Sequence, residues 1–254
     1  MKSAALFTVI FEDDDIIVVN KPSGISVGAD RWDTRRQRLD RLVEQIQGLP
    51  KLYTVHRIDR ETSGLVVFAK NETAHRRLSF AFEKQAVVKR YIAIVNGRPP
   101  WTKTTCNLPL IPNGNKQHLT IVDKYQGKKS STCFTLLGSA GNYSVLEVVP
   151  KTGRTHQIRV HAAAQGIPVV CDSLYGSDRP IMLSDIKKNW RGDPFDEKPI
   201  LSRLGLHAME LSLPAHTVTG TVIGEQDELK LSAPLPRDMA ALIRQIEKLG
   251  TTYP

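Results

Sequence analysis

The chain has 254 residues, enough for one large domain or two tightly joined subdomains with a sizeable core. Hydrophobic residues make up 41% and charged residues 24%, which is ordinary for a folded globular protein and does not suggest long disordered stretches. Lys and Arg total 35 against 26 Asp and Glu, a net charge of +9 and a pI near 9.5, and this favours a polyanionic partner, either nucleic acid or an anionic membrane surface.

The first elements expected are two short strands, over residues 6–11 and 16–20, separated by the acidic turn Glu12-Asp13-Asp14-Asp15. The apolar start runs straight into that turn without a small-residue cleavage site, so it does not read as a signal peptide. Lys21-Pro22-Ser23-Gly24 is a turn signal. A basic stretch follows, with Arg31, Arg35, Arg36, Arg38 and Arg41, and leads into an amphipathic helix marked by Leu39, Leu42, Val43 and Ile46. Residues 65–69 form a continuous apolar run, read as a buried strand. Asn71 is placed to cap the next helix, with Glu72 in its first turn and an end near Glu83.

Residues 87–95 read as a strand, and 98–131 as loops with short strands ending in a Gly127-Lys128-Lys129 turn. Strands over 133–137 and 143–149 form a hairpin around Gly138 and Gly141. Residues 154–165 are helical by propensity, with Gly166 and Pro168 ending the helix. Residues 177–203 are polar and punctuated by prolines, an extended loop. A strand over 206–213 and a helix opened by Pro236 follow. Strands and helices with hairpin-like returns imply an α+β fold with a mixed, mainly antiparallel sheet flanked by helices and loops, as one domain over 1–254.

Cys106, Cys133 and Cys171 are far apart and odd in number. They suggest neither a zinc site nor a disulfide framework, and fit a reducing cytoplasm. No apolar run approaches the roughly 20 residues that span a bilayer. His156 and His161 are five apart, which turns them about 140° from each other on a helix and removes the zincin pairing. His56, His207 and His216 are scattered, each read as structural or as a single RNA contact. No Gly-rich phosphate loop is present, so no metal and no nucleotide cofactor is expected. Ser63 lacks the nucleophile-elbow pattern of a hydrolase.

Two segments hold more polar function than packing requires: His56 to Gly64, just before a buried strand, and Lys151 to His161, which opens a helix. Asp59 lies between two arginines in a loop at the edge of a core strand, where active groups commonly sit. From these residues alone a turn cap, or an ion pair with Arg57 or Arg60, is the preferred account of it, since ion-pair networks also gather charge. Thr155 and Arg159 are expected to share a helical face, and Arg154 to meet phosphate near the helix start.

The segment His56-Arg57-Ile58-Asp59-Arg60-Glu61-Thr62-Ser63-Gly64-Leu65 resembles the signature of the RluA-type pseudouridine synthases around their catalytic aspartate. Val18 to Gly24 resembles the family's N-terminal motif. Lys89-Arg90-Tyr91-Ile92-Ala93 resembles the strand of its active-site tyrosine, and Gly127 to Thr132 its mid-chain motif. Thr152 to His161, with Gly166, Pro168, Asp172, Leu174, Tyr175 and Gly176, resembles its last major motif, and Leu206-His207-Ala208 follows. The resemblance runs in order from residue 16 to about residue 210. It is to the compact form, without an S4-like domain, and the stretch 177–203 is longer than usual.

The resemblance implies a pseudouridine synthase-like catalytic domain that detaches uracil at N1, turns it and rejoins it through C5, without a cofactor. The target base is flipped out of a structured rRNA or tRNA. Asp59 is then the essential carboxylate, attacking C1′ of the sugar or removing the 2′ proton. Arg159 holds Asp59 ionised, since a nearby cation favours the charged form. Tyr91 stacks on the flipped uracil. Ile158 and Leu206 form the apolar wall of the pocket. Arg57 enters the RNA stack, and His56, Arg154 and Lys21 contact RNA or support the site. A monomer in the cytoplasm is expected. Two alternatives are an RNA-binding protein of the same fold without activity, and a carboxylate-dependent hydrolase of a glycosidic bond, which needs a second carboxylate such as Glu61.

Overall fold

Val- and Ile-rich runs bounded by turn residues become the strands of the computed structural model, which describes residues 6–29, 37–112, 119–187, 189–214, 217 and 228–252. The chain opens with β1 (Thr8–Glu12) and β2 (Ile16–Lys21), joined by a turn in which Asp13 Oδ1 accepts the N–H groups of Asp15 and Ile16. Then come α1 (Leu39–Gln47), the two-residue β3 (Tyr53–Thr54), β4 (Ser63–Ala69) and α2 (Glu72–Glu83). The long β5 (Val88–Asn96) is followed by the short β6 (Lys103–Cys106), β7 (Leu110–Ile111) and β8 (Ile121–Val122). The hairpin β9 (Thr132–Ala140) and β10 (Tyr143–Pro150) precedes α3 (Gln157–Ala164). Last are β11 (Leu206–Pro214), β12 (Glu228–Ser232), α4 (Arg237–Leu249) and β13 (Thr251–Thr252). The fold is α+β, as expected.

The chain divides into two compact units, Met1–Lys89 with Ala208–Pro234, and Arg90–His207 with Leu235–Pro254. In the first, β1, β2 and β4 pair antiparallel in that order, β3 adds to β4, and the later part of β11 pairs with β12. β4 is buried along its whole length. One side of this sheet packs Ile16, Val18, Leu65 and Val67 against Ala74, Leu78 and Ala81 of α2. Those three α2 residues recur at helical spacing, so one apolar stripe faces the strands. The expected cap is present: Asn71 Oδ1 accepts the Ala74 N–H at 2.9 Å, and the helix ends at Glu83.

In the second unit β5, β10 and β9 pair antiparallel, with β6 and β13 on β9. Met239, Leu242, Ile243 and Ile246 give α4 its buried face, against β9 and β10. Residues 177–203 contain no helix or named strand among the described residues, yet they are folded on themselves. Ile181 and Leu201 form a bridge and are buried, and Glu197 accepts both the N–H and the hydroxyl of Ser184. A few apolar residues thus close a segment whose composition reads as polar loop.

Of the basic stretch before α1, Arg31, Arg35 and Arg36 lie outside the described residues, as does His216. Arg38 makes a two-pronged ion pair with Asp40, and Arg41 pairs with Glu44 at 2.8 Å.

Candidate active site

Backbone carbonyls around Asp59 are gripped by side chains of the preceding turn. Lys21 ends β2 and is fully buried, a costly position for an ammonium. Its Nζ donates to three carbonyls, those of Pro22, Ile25 and Arg60, each at 2.9 Å. The Arg60 carbonyl also accepts the Gly24 N–H at 2.8 Å, and the Glu61 carbonyl accepts the Ser23 hydroxyl at 2.6 Å. The Lys21-Pro22-Ser23-Gly24 turn is therefore fastened along the backbone that follows Asp59. The Asp59 carbonyl in turn accepts the Thr62 N–H at 3.1 Å.

Along the motif burial alternates: Arg57 is exposed, Ile58 buried and Asp59 half-buried. Arg60 pairs with its neighbour Glu61 at 2.7 Å. Gly64 enters β4 with φ of 116°, and a Cβ there would lie 2.2 Å from the Ala208 carbonyl oxygen. Only glycine fits where β4 and the Ala208 backbone approach so closely.

His56 also serves the loop. Its Nε2 accepts the Val67 N–H at 3.0 Å, and its ring stacks on Phe82 with centroids 4.5 Å apart. Burial, helped by the positive charge of Lys89, pushes its pKa down to about 3. The imidazole is therefore neutral, which its acceptor role at Nε2 requires. Burial also lowers the Lys89 ammonium below the ordinary lysine range.

In the second unit Tyr91 is buried on β5, opposite Val148 of β10. Ile158 and Arg159 lie in the first turn of α3 and Leu206 opens β11, all three buried. Arg159 is 1% exposed, and its Nε and Nη2 donate to the two oxygens of Asp172 at 2.8 and 2.7 Å. Such a fork-to-fork pair fixes both position and rotation of the guanidinium. Its carbon lies 5.2 Å from the Tyr175 ring centroid, a cation–π contact. Asp172 also accepts the N–H groups of Leu174 and Tyr175. Burial alone would raise the Asp172 carboxyl, but the hydrogen bonds and charge of Arg159, with those two N–H groups, outweigh it and hold the pKa below the usual range. The sequence reading gives Arg159 one carboxylate, Asp59, and assigns no role to Asp172. Its signal in the sequence is its place in the run shared with Leu174, Tyr175 and Gly176.

Two expectations about this segment need correction. The helix begins at Gln157, not Arg154, because His156 adopts the left-handed conformation, φ 52°. The Gln157 side chain holds the non-helical entry: its Oε1 accepts the Arg154 N–H and the Thr152 hydroxyl, while its Nε2 donates to Ser131 and Thr132. Thr155 thus precedes the helix and shares no face with Arg159. Arg154 is exposed, with its Nε donating to the Lys129 carbonyl at 3.2 Å.

His156 and His161 face different partners. His156 Nδ1 lies 2.8 Å from the Tyr175 hydroxyl, which also accepts the Thr120 N–H. His161 is fully buried, with Nε2 on the Leu108 carbonyl at 2.9 Å and Nδ1 on the Thr132 hydroxyl at 2.8 Å. Burial lowers its pKa, partly offset by the Leu108 carbonyl. Among the described residues no cluster of His, Cys, Asp or Glu is placed to hold a metal ion, and no helix is long and apolar enough to cross a membrane.

The RNA pseudouridylate synthase family model matches residues 15–164, more than half of the chain. The chain is 36% identical over 210 residues to the dual-specificity RNA pseudouridine synthase RluA of Vibrio vulnificus, covering 80% of this chain and 76% of that protein. It is 34% identical to the ribosomal large subunit pseudouridine synthase C of Buchnera aphidicola, over 79% of this chain and 60% of that protein. Among solved structures, human RNA pseudouridylate synthase domain containing 4 shares the fold, with a TM-score of 0.70 at 22% identity over 94% of this chain and 93% of that chain. The segments that carry Lys21, Asp59, Tyr91 and Arg159 all fall inside the matched residues, and the chain belongs to the RNA pseudouridine synthase family.

Proposed function

We propose that the chain isomerises uridine to pseudouridine in a structured rRNA or tRNA, with Asp59 as its essential carboxylate. The observation that carries this reading is the Asp59 loop, in which a half-buried carboxylate sits on backbone locked by the buried Lys21 ammonium. A carboxylate that must meet one atom of an extruded nucleotide needs such preorganisation. Arg57, exposed two residues before Asp59, enters the RNA stack as the base leaves it. Tyr91 stacks on the uracil, Ile158 and Leu206 supply apolar wall, and Arg159 supplies the fixed cation. Lys21 and His56 support the loop, and Arg154 contacts RNA. A relative whose name specifies the ribosomal large subunit supports rRNA as substrate, and tRNA stays as the alternative the family resemblance implies. We place the chain in the cytoplasm, as a monomer in which residues 1–254 work as one catalytic domain. Its three free cysteines suit a reducing compartment.

The test is an Asp59→Asn variant assayed for pseudouridine on RNA from cells lacking the gene. The native chain should form pseudouridine at discrete positions without changing RNA mass, and the variant should bind RNA but form none. Near-normal pseudouridine from the variant would reject the role of Asp59. Release of free uracil by the native chain would show a hydrolase instead.

A further inference from the structure

Tyr125 is 98% exposed, yet it is not on a loose loop. Asp123 Oδ1 accepts the N–H groups of Tyr125 and Gln126, at 2.8 and 2.9 Å, and the Asp123 carbonyl accepts the Gly127 N–H at 3.0 Å. A Cβ on Gly127 would lie 2.2 Å from that same carbonyl, so the turn closes tightly. Lys128 then pairs with Leu110 through two backbone hydrogen bonds, at 2.8 and 3.0 Å. The phenol ring is thus presented to solvent by ordered backbone.

The surroundings of the ring are strongly basic. Lys124, Lys128 and Lys129 flank it in sequence, and all three are exposed. The segment 151–154 lies alongside, because the Arg154 Nε donates to the Lys129 carbonyl and the Lys151 N–H donates to the Ser131 carbonyl at 2.9 Å. Lys151 and Arg154 are exposed as well, and none of these five cations has an ion pair among the described residues. Asp123 is the one acidic residue in 119–131 and 150–157, and its carboxylate is turned to the backbone. The Gln157 side chain ties this surface to the first turn of α3, which carries Arg159.

We infer that this surface is an RNA-binding platform, on which Tyr125 stacks against an unpaired base while Lys124, Lys128, Lys129, Lys151 and Arg154 take the flanking phosphates. The inference rests on the proposed function and adds to it the part of the RNA that is gripped away from the target base. An aromatic face among cations is the chemistry of single-stranded nucleic acid, since every base has a π-face and every nucleotide a phosphate. A duplex offers phosphates but keeps its base faces stacked. An anionic membrane offers charge but gives one rigidly held phenol little reason to stand clear of the surface.

The test measures binding of the full chain to a fluorescein-labelled oligouridylate, alone and annealed to its complement. Tyr125→Ala should weaken binding of the single strand by about 5- to 100-fold, the range expected for one lost stacked base, and barely change duplex binding. Tyr125→Phe should restore the single-strand affinity. The double change Lys128→Ala with Lys129→Ala should flatten the log–log salt slope on the single strand by about 0.7 per lost contact. Native-like single-strand affinity of Tyr125→Ala would overturn the inference, and so would an equal loss on the duplex. Tighter binding to phosphatidylserine vesicles, lost in the same variants, would also overturn it in favour of a membrane surface. Failure here is separable from failure of the proposed function. In the first case the native chain still forms pseudouridine while Tyr125→Ala binds normally, and in the second the native chain forms none.

Discussion

The buried ammonium of Lys21 lies 2.9 Å from the carbonyl of Arg60, the residue that follows Asp59. Lys21 therefore acts as the hub of a backbone knot, with three carbonyl acceptors and no exposed surface. Its removal should be felt first in stability. Lys21→Met keeps the stem but takes the donor from the Pro22 and Ile25 carbonyls, each costing about 1–3 kcal/mol when unsatisfied, and leaves the Arg60 carbonyl only the Gly24 N–H. We expect a loss of about 3 kcal/mol or more in urea unfolding, with a collapse of turnover as the Asp59 loop loosens. Native stability with weaker RNA binding alone would make Lys21 a simple RNA contact.

Asp172 is expected to matter as much as Arg159. Asp172→Asn removes the charge that balances a guanidinium 1% exposed, and breaking a buried pair in this way costs about 3–5 kcal/mol. The melting temperature should fall, and single-turnover rates should fall more than RNA affinity, because the cation loses its fixed orientation. An unchanged melting temperature would mean that Arg159 has an equivalent second anchor.

Tyr91→Phe should bind RNA almost normally and turn over very slowly. The ring proposed to stack on uracil survives and the hydroxyl does not. Single-turnover kinetics within a few fold of native, measured at saturating enzyme, would reject a role for the hydroxyl.

Stability should decline as pH falls below about 6.5. His56 has its folded-state pKa pushed down to about 3, and His161 is shifted in the same direction. Between the unfolded value and the folded one, the unfolded chain binds more protons, so stability is present above about 6.5 and is lost toward the folded pKa. Each histidine adds up to ~1.4 kcal/mol per pH unit to that slope. His56→Gln should lower stability at neutral pH and flatten the slope between about pH 6 and 4. A slope unchanged by the substitution would show that His56 is protonated in the folded chain.

Arg57→Lys should impair base flipping more than RNA binding. A planar guanidinium fills the vacated stack, which an ammonium does poorly. Fluorescence of a 2-aminopurine beside the target uridine reads the flip, and a loss of stability with normal flipping would make Arg57 a brace of the loop.

The sequence by itself determined the elements whose causes are local. The continuous apolar run before Asn71 becomes β4, buried from Ser63 to Ala69, and Asn71 caps α2 as its side chain requires. It also determined that Asp59 sits in a polar turn at the edge of a core strand. Tertiary structure alone decided the partners. Lys21 reaches a carbonyl 39 residues away, Arg159 takes a carboxylate 13 residues away, and Gln157 donates to the Thr132 hydroxyl at the start of a strand 25 residues before it. It decided the start of α3 too, since propensity favours a helix from Arg154, whereas the Gln157 side chain and the left-handed His156 hold three residues out of it. The same holds for residues 177–203, where Ile181 and Leu201 meet across a stretch that composition reads as loop. Periodicity and capping act within a few residues along the chain and are legible there, whereas a buried charge takes whichever acceptor the packed backbone brings to it.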